Sequence, residues 1–192
     1  MTNIKTFKMA LLAKLYQQHD PHGTCPVGTN ACTKMVWGEG NPDARIIFIG
    51  EAPGRDEDEQ GRPFVGRSGQ LLNKYIQTAG LTRDDVFITN IVKCRPPNNR
   101  KPLPAEVAFF KPILLHEIKI IRPKIICTLG SSALEALINK PFSITKIRGT
   151  LINFENTKLM PTYHPAYVLR NPPAGKELLQ DIKEAIAHGQ KG

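Results

Sequence analysis

No stretch of this 192-residue sequence approaches the ~20 consecutive apolar residues that a bilayer-crossing helix needs. The apolar positions near the start are interrupted by Lys5, Lys8 and Lys14, which argues against a secretory leader. A cytoplasmic protein with no membrane partner is therefore expected. Cysteine is sparse as well: Cys25, Cys32, Cys94 and Cys127 are too few and too scattered for a disulfide scaffold in a chain of this length, and a reducing compartment fits. Acidic residues are in deficit, 17 against 26 Lys and Arg, for a formal charge of +9. Such an excess points to a polyanionic partner, nucleic acid ahead of an acidic membrane surface. Neither a P-loop nor a dinucleotide-type glycine spacing is present, which disfavours a nucleotide-binding α/β domain. Repeats, low-complexity runs and compositional breaks are also missing, so residues 1–192 read as one domain acting as a monomer.

What is present alternates between two periods. Ile4, Phe7, Leu11 and Leu15 recur at helical spacing, predicting a packed amphipathic helix over residues 1–18. Residues 19–42, rich in Gly, Pro, Asn and Thr, show no sustained period and read as an irregular segment that needs a functional or metal-based reason to stay ordered. Residues 45–49, 86–90 and 124–129 are strand-like runs, and Cys127 within the third is most simply a small core residue. Helices are predicted over 68–79, ended by Gly80, from Pro104 to about residue 121, over 133–138 and over 176–188. Two short strands, 150–154 and 158–161, precede the last helix. Residues 55–60 are strongly acidic and read as a solvated loop. The alternation implies an α/β fold: a central, mainly parallel four-stranded sheet flanked by helices in three layers.

Three blocks carry chemistry. Gly50-Glu51-Ala52-Pro53-Gly54 turns at the carboxyl end of the first strand, where open α/β sheets place ligands, and presents one carboxylate there. Asn90 ends the second strand, before Lys93-Cys94-Arg95-Pro96-Pro97; its planar amide carries one acceptor and two donors. Tyr163-His164-Pro165-Ala166 offers an imidazole on a proline-stiffened loop. Phe64, between Pro63 and Val65, is apolar enough for the core, and Gly54 keeps its turn free of a side chain.

Taken in order, with Leu169-Arg170-Asn171-Pro172, these blocks resemble the family 4 uracil-DNA glycosylases, over about residues 22–172. The resemblance implies the uracil-DNA glycosylase-like three-layer sandwich and a monofunctional DNA N-glycosylase that flips deoxyuridine from single- or double-stranded DNA and hydrolyses its N-glycosidic bond, initiating base-excision repair. It assigns Phe64 to the wall against uracil and His164 to the developing uracil anion. Glu51 becomes a candidate for orienting water or countering the sugar cation, and Glu57 a second catalytic candidate. Glu51, Ala52, Gly54, Phe64, Asn90 and His164 then form the base pocket. Arg62, Arg67, Arg95, Arg100 and Arg170, with Lys93, Lys101 and Arg148, are cations beside these blocks suited to phosphate, and Leu169 would lead a wedge entering the duplex. The alternative is a non-catalytic binder of uracil-containing or abasic DNA, but such a binder has no need of His164.

One part departs from the family pattern. Four cysteines hold a 4Fe-4S cluster in typical members; here Cys25 and Cys94 match, while His22 and Phe110 stand in the other two places. Phenylalanine cannot ligate iron. His22, Cys25, Cys32 and Cys94 would make a zinc set on ligand chemistry alone, but the expectation is no cofactor, with Phe110 filling the space by packing.

Overall fold

Ile46-Ile47-Phe48-Ile49 is apolar at every position because a helical layer covers each face of the strand it forms. In the computed structural model, which describes residues 4–19 and 32–191, the chain runs α1 (Ile4–Gln18), β1 (Glu39–Gly40), β2 (Ile46–Gly50), α2 (Arg55–Gln60), α3 (Arg67–Thr78), β3 (Phe87–Asn90), α4 (Pro104–Ile121) and β4 (Ile125–Leu129). It continues through α5 (Ser131–Ile138), α6 (Ile144–Ile147), β5 (Ile152–Phe154), β6 (Thr157–Thr162), α7 (Pro165–Arg170) and α8 (Gly175–Gln190). Every residue of β2, β3 and β4 is buried, as continuous apolar runs in a two-faced parallel sheet require. Successive side chains alternate between faces. Ile47 and Ile49 meet Leu12, Leu15, Ile113, Leu114 and Leu134 on the layer of α1, α4 and α5. Ile46 and Phe48 meet Leu72, Ile76, Val168, Leu178 and Ile182 on the layer of α3, α7 and α8.

The sheet has the order β1-β3-β2-β4-β6-β5, and its four central strands pair in parallel. Two short antiparallel strands extend the expected four to six. β5 forms a hairpin with β6, and β1 pairs with β3, Glu39 opposite Ile88. β1 lies inside the segment read as irregular, and a two-residue strand has no period from which it could be recognised. From β2 the chain goes to β3 on one side, then crosses to β4 on the other side of β2. That reversal leaves a crevice beyond the carboxyl ends of these strands, where doubly wound sheets bind ligands.

Three local readings change. Residues 55–60 form α2 and bury Glu57 and Asp58, because those carboxylates accept backbone N–H bonds that a solvated loop would leave to water. Residues 165–170, read as loop, form α7, with proline in its first turn. α1 packs through Leu12 and Leu15, while Ile4 and Phe7 remain 68% and 57% exposed, since only the second half of the helix is packed into the core. α4 matches its expected span, opened by Pro104 and by Glu106, whose carboxylate accepts the Leu103 N–H at 2.7 Å. Among the described residues no helix is long and apolar enough to cross a membrane.

α3 approaches the Phe64 loop so closely that a Cβ on Gly69 would overlap the backbone carbonyl of Phe64. Gly69→Ala should therefore destabilise the protein by about 2–3 kcal/mol despite the helix propensity of alanine. A urea unfolding midpoint equal to that of the parent protein would contradict this close approach.

Candidate active site

A cavity of about 560 Å³ opens at the carboxyl edge of the sheet. Glu51 follows β2, Asn90 ends β3, Gly130 follows β4 and His164 follows β6, so four strand ends each contribute to its lining. The turn 50–54 is held by ladder-like bonds: Ile91 N–H donates to Gly50 O at 3.0 Å and Val92 N–H to Glu51 O at 3.1 Å. Ala52 and Gly54 line the cavity as well. The half-buried Glu51 sits on the wall shared with a second cavity of about 410 Å³, lined chiefly by α4 and α5.

Phe64 forms one wall. Its ring lies over Gly50 and beside the His164 imidazole, ring centroids 5.8 Å apart. A Cβ at Gly50 would collide with that ring and stand 2.5 Å from Asn90 Oδ1, which makes glycine necessary there. The Phe64 backbone has φ 52°, a left-handed conformation unusual for a bulky residue. Two groups hold it there. Arg83 donates to Phe64 O at 3.2 Å, to Asn73 Oδ1 at 3.2 Å, to Pro63 O and to Glu39 Oε1 at 3.3 Å. From the other side Glu57 Oε1 accepts Val65 N–H at 2.9 Å and Gly66 N–H at 2.8 Å, while its Oε2 accepts Gly54 N–H at 3.1 Å. Both Glu57 oxygens are thus occupied with joining two loops.

Asn90 is buried, and its Oδ1 has no hydrogen-bond partner among the described residues. An orphaned buried acceptor costs roughly 1–3 kcal/mol, so a donor from a ligand would relieve it. His164 caps α7: its Nδ1 accepts Ala166 N–H at 3.1 Å, which places the ring proton on Nε2. Burial, with the nearby Arg170 cation second, pushes its pKa down to about 4. The imidazole is therefore a neutral donor at physiological pH.

The cations divide into two groups. Arg62 forms a two-point pair with Glu39 at 2.8 and 2.6 Å, and Arg100 one with Glu106 at 2.9 and 2.6 Å. Arg148 pairs with Asp181, and Lys101 lies 3.4 Å from Glu135. Lys93 is fully buried against Glu117, so the reading of Lys93 as a phosphate contact is corrected: the run after Asn90 turns it under the sheet edge. Arg67 and Arg95 line a shallow groove with the exposed Leu169, and Arg170 lines the main cavity. Asn99, Ser131 and Ser132 also line that cavity and were not singled out from sequence. Asn99 had a signal in principle, as an asparagine after Pro96-Pro97 suited to the left-handed backbone it adopts at φ 54°. Arg83, followed by Asp84 and Asp85 in an ordinary charged run, had none.

For a metal, only part of the expected ligand set falls among the described residues. His22 and Cys25 lie outside the described residues. Cys94 is buried, with Sγ 3.5 Å from Met35 Sδ, and Phe110 is fully buried in the same apolar cluster. Cys32 Sγ is 3.2 Å from Lys34 O. Among the described residues no three His, Cys, Asp or Glu side chains are grouped to hold an ion. A four-iron cluster does not fit this set, because the Phe110 ring supplies no donor and packs the position itself.

Comparison with known proteins places the chain in a family. The sequence model of the Uracil DNA glycosylase superfamily matches residues 37–187. The Type-4 uracil-DNA glycosylase of Thermotoga maritima is 48% identical over 165 residues, spanning 84% of this chain and 85% of that protein. That of Saccharolobus solfataricus is 49% identical over 164 residues, 79% of this chain and 76% of its own. A third, from Pyrobaculum aerophilum, is 42% identical over 179 residues, covering 89% and 91%. With a superfamily match across most of its length and relatives more than 40% identical over most of both chains, this chain belongs to the uracil DNA glycosylase superfamily.

Proposed function

We propose that this chain acts as one domain, a monofunctional uracil-DNA glycosylase that flips deoxyuridine out of DNA and hydrolyses its C1′–N1 bond, the first step of base-excision repair. The observation that carries the reading is Asn90 Oδ1, buried and without a partner among the described residues, in a cavity walled by Phe64 and His164. Uracil N3–H is the donor that acceptor lacks, and the amide NH₂ can donate to uracil O4. Cytosine presents the reverse pattern, and the wrong base would leave buried polar groups unpaired, which penalises it more than a missing methyl group would. Phe64 returns part of the stacking energy that the flipped base loses.

As the glycosidic bond breaks, its electron pair moves onto uracil and positive charge grows at C1′. His164 Nε2–H is the preorganised donor for the anion at uracil O2. A neutral imidazole serves, since O2 needs a hydrogen bond rather than a proton. The oxygen of water then bonds to C1′, and the proton it loses passes to solvent or to the departing uracil anion, which balances the charge. Glu51 is placed either to orient that water or to counter the sugar cation. Glu57, with both oxygens on backbone N–H groups, acts by holding the Gly54 turn to the Phe64 loop. The DNA backbone is assigned to Arg67, Arg95 and Arg170, with Leu169 beside them as the wedge. Arg62 and Arg100, already paired with carboxylates, act chiefly by shaping loops.

Incubation with a uracil-containing oligonucleotide should release free uracil and leave an intact strand that breaks only on alkali treatment. Tight binding without product at enzyme excess would instead identify a non-catalytic binder.

His164→Ala should slow single-turnover excision by on the order of 10²- to 10³-fold with DNA affinity little changed. In ¹⁵N NMR the ring should remain the neutral Nε2–H tautomer from pH 8 to pH 5 and titrate near 4. The unfolded imidazole takes up its proton near 6.5. This group's contribution to stability is therefore present above pH 6.5 and lost as pH falls toward 4. A titration midpoint between 6 and 7 would contradict the enclosed environment.

No cofactor is assigned. Protein purified anaerobically should lack four irons and acid-labile sulfide, because a phenyl ring occupies one ligand position. About four irons per chain with visible charge-transfer absorbance would overturn this and direct attention to Cys32.

A further inference from the structure

Lys93 and Glu117 are both 0% exposed, and their charges meet at 2.6 Å directly beneath the strand that ends in Asn90. Every hydrogen-bonding position of the pair is used. The Lys93 ammonium donates to Glu117 Oε2, to Thr89 Oγ1 at 2.6 Å and to the Asn90 carbonyl at 2.8 Å, its three protons on three acceptors. Glu117 Oε2 also accepts the Thr89 hydroxyl at 3.0 Å; Oε1 accepts the Tyr16 hydroxyl at 2.9 Å and Gly38 N–H at 3.3 Å.

A buried ion pair is weak evidence for stability, since apolar residues of similar volume often serve as well or better. This one joins four parts of the chain, α1 through Tyr16, the β1 approach through Gly38, α4 through Glu117 and β3 through Thr89. It also ends on the main chain of Asn90, whose buried side-chain acceptor has no partner among the described residues. Thr89 and Asn90 point to opposite faces of β3, so the pair grips the strand from below while the Asn90 amide faces the cavity. β3 ends at Asn90, so the ammonium holds the strand at its last residue. Displacing a reading group by about 1 Å is enough to lose roughly 10²-fold in rate.

We propose that the Lys93–Glu117 ion pair is a positioning device for base reading, fixing the Asn90 main chain so that its side-chain amide meets the flipped base in one place. The proposal rests on the reading of Asn90 as the uracil-recognition residue. The pair never touches DNA; it acts through Asn90.

The test is a cycle built on Lys93→Met combined with Glu117→Gln, which removes both charges and leaves no buried ion unpaired. In the otherwise native protein the double substitution should lower single-turnover uracil excision about 10- to 100-fold and narrow the uracil-to-cytosine rate ratio, with affinity for abasic DNA unchanged. In an Asn90→Ala background the same substitutions should change the rate by no more than about 2-fold, the range expected when no further interaction is lost. Equal losses in both backgrounds, or a native rate in the charge-free variant, would overturn the proposal. Loss of cooperative urea unfolding in this variant and in the milder Thr89→Val would overturn it too, by assigning the network to stability alone. A native rate for Asn90→Ala itself would instead remove the underlying reading of Asn90.

Discussion

The cavity at the sheet edge depends on one pairing, the parallel register that sets Gly50 opposite Asn90 at the ends of β2 and β3. Only a residue without Cβ at position 50 lets the Phe64 ring and the Asn90 amide approach the same spot. The core enforces that register: sliding β3 by one residue would turn Phe87 and Thr89 toward α3, and Ile88 and Asn90 toward α4. Phe87 and Ile88 are both essentially unexposed, so such a slip would disrupt two packed layers together.

Around that pairing, the segments that carry Phe64, Asn90 and His164 are each held by charged groups placed outside the cavity. Arg83, tied to Glu39, grips the Pro63 and Phe64 carbonyls. Lys93, tied to Glu117, grips the Asn90 carbonyl. Asp181, tied to Arg148, accepts the Thr162 hydroxyl two residues before His164. Charged groups suit this work because their bonds are short and directional, whereas apolar packing resists compression but allows sliding. Removing one member of such a pair leaves a charge uncompensated in a dry setting, which ties pocket geometry to the integrity of the surrounding fold.

The charge distribution has a related consequence. A formal +9 suggests a surface of free cations, yet Arg62, Arg100, Arg148 and Lys93 are each engaged by a carboxylate. Electrostatic attraction for a polyanion still follows from the net charge, since pairing redistributes charge without abolishing it. Of the cations proposed for phosphate contact, Arg67 and Arg95 line the groove beside the cavity, and Arg170 lines the cavity itself.

Much of this was legible in residue order. Long apolar runs at 46–49 and 125–129, and the proline-opened helical period from Pro104, leave little choice of element, because solvent exclusion on one or both faces writes its period directly into the chain. The ligand edge followed too, since Gly and Pro after a buried strand mark the carboxyl side of an α/β sheet, and Glu51, Asn90 and His164 all line the cavity there. What local pattern could not reveal were interactions between residues far apart in sequence. β1 exists only because β3 offers it an edge. The acidic run at 55–60 becomes a helix because Glu57 and Asp58 find backbone donors in segments 65–66 and 33–34. Lys93 looked like a free cation beside an active-site block until α4 brought Glu117 to it across 24 positions. The sequence by itself determined the elements, their layers and the edge that carries chemistry, because burial and turn geometry are local. Which charges are paired around the cavity was decided only in the folded chain, because an ion pair is defined by where its partner arrives.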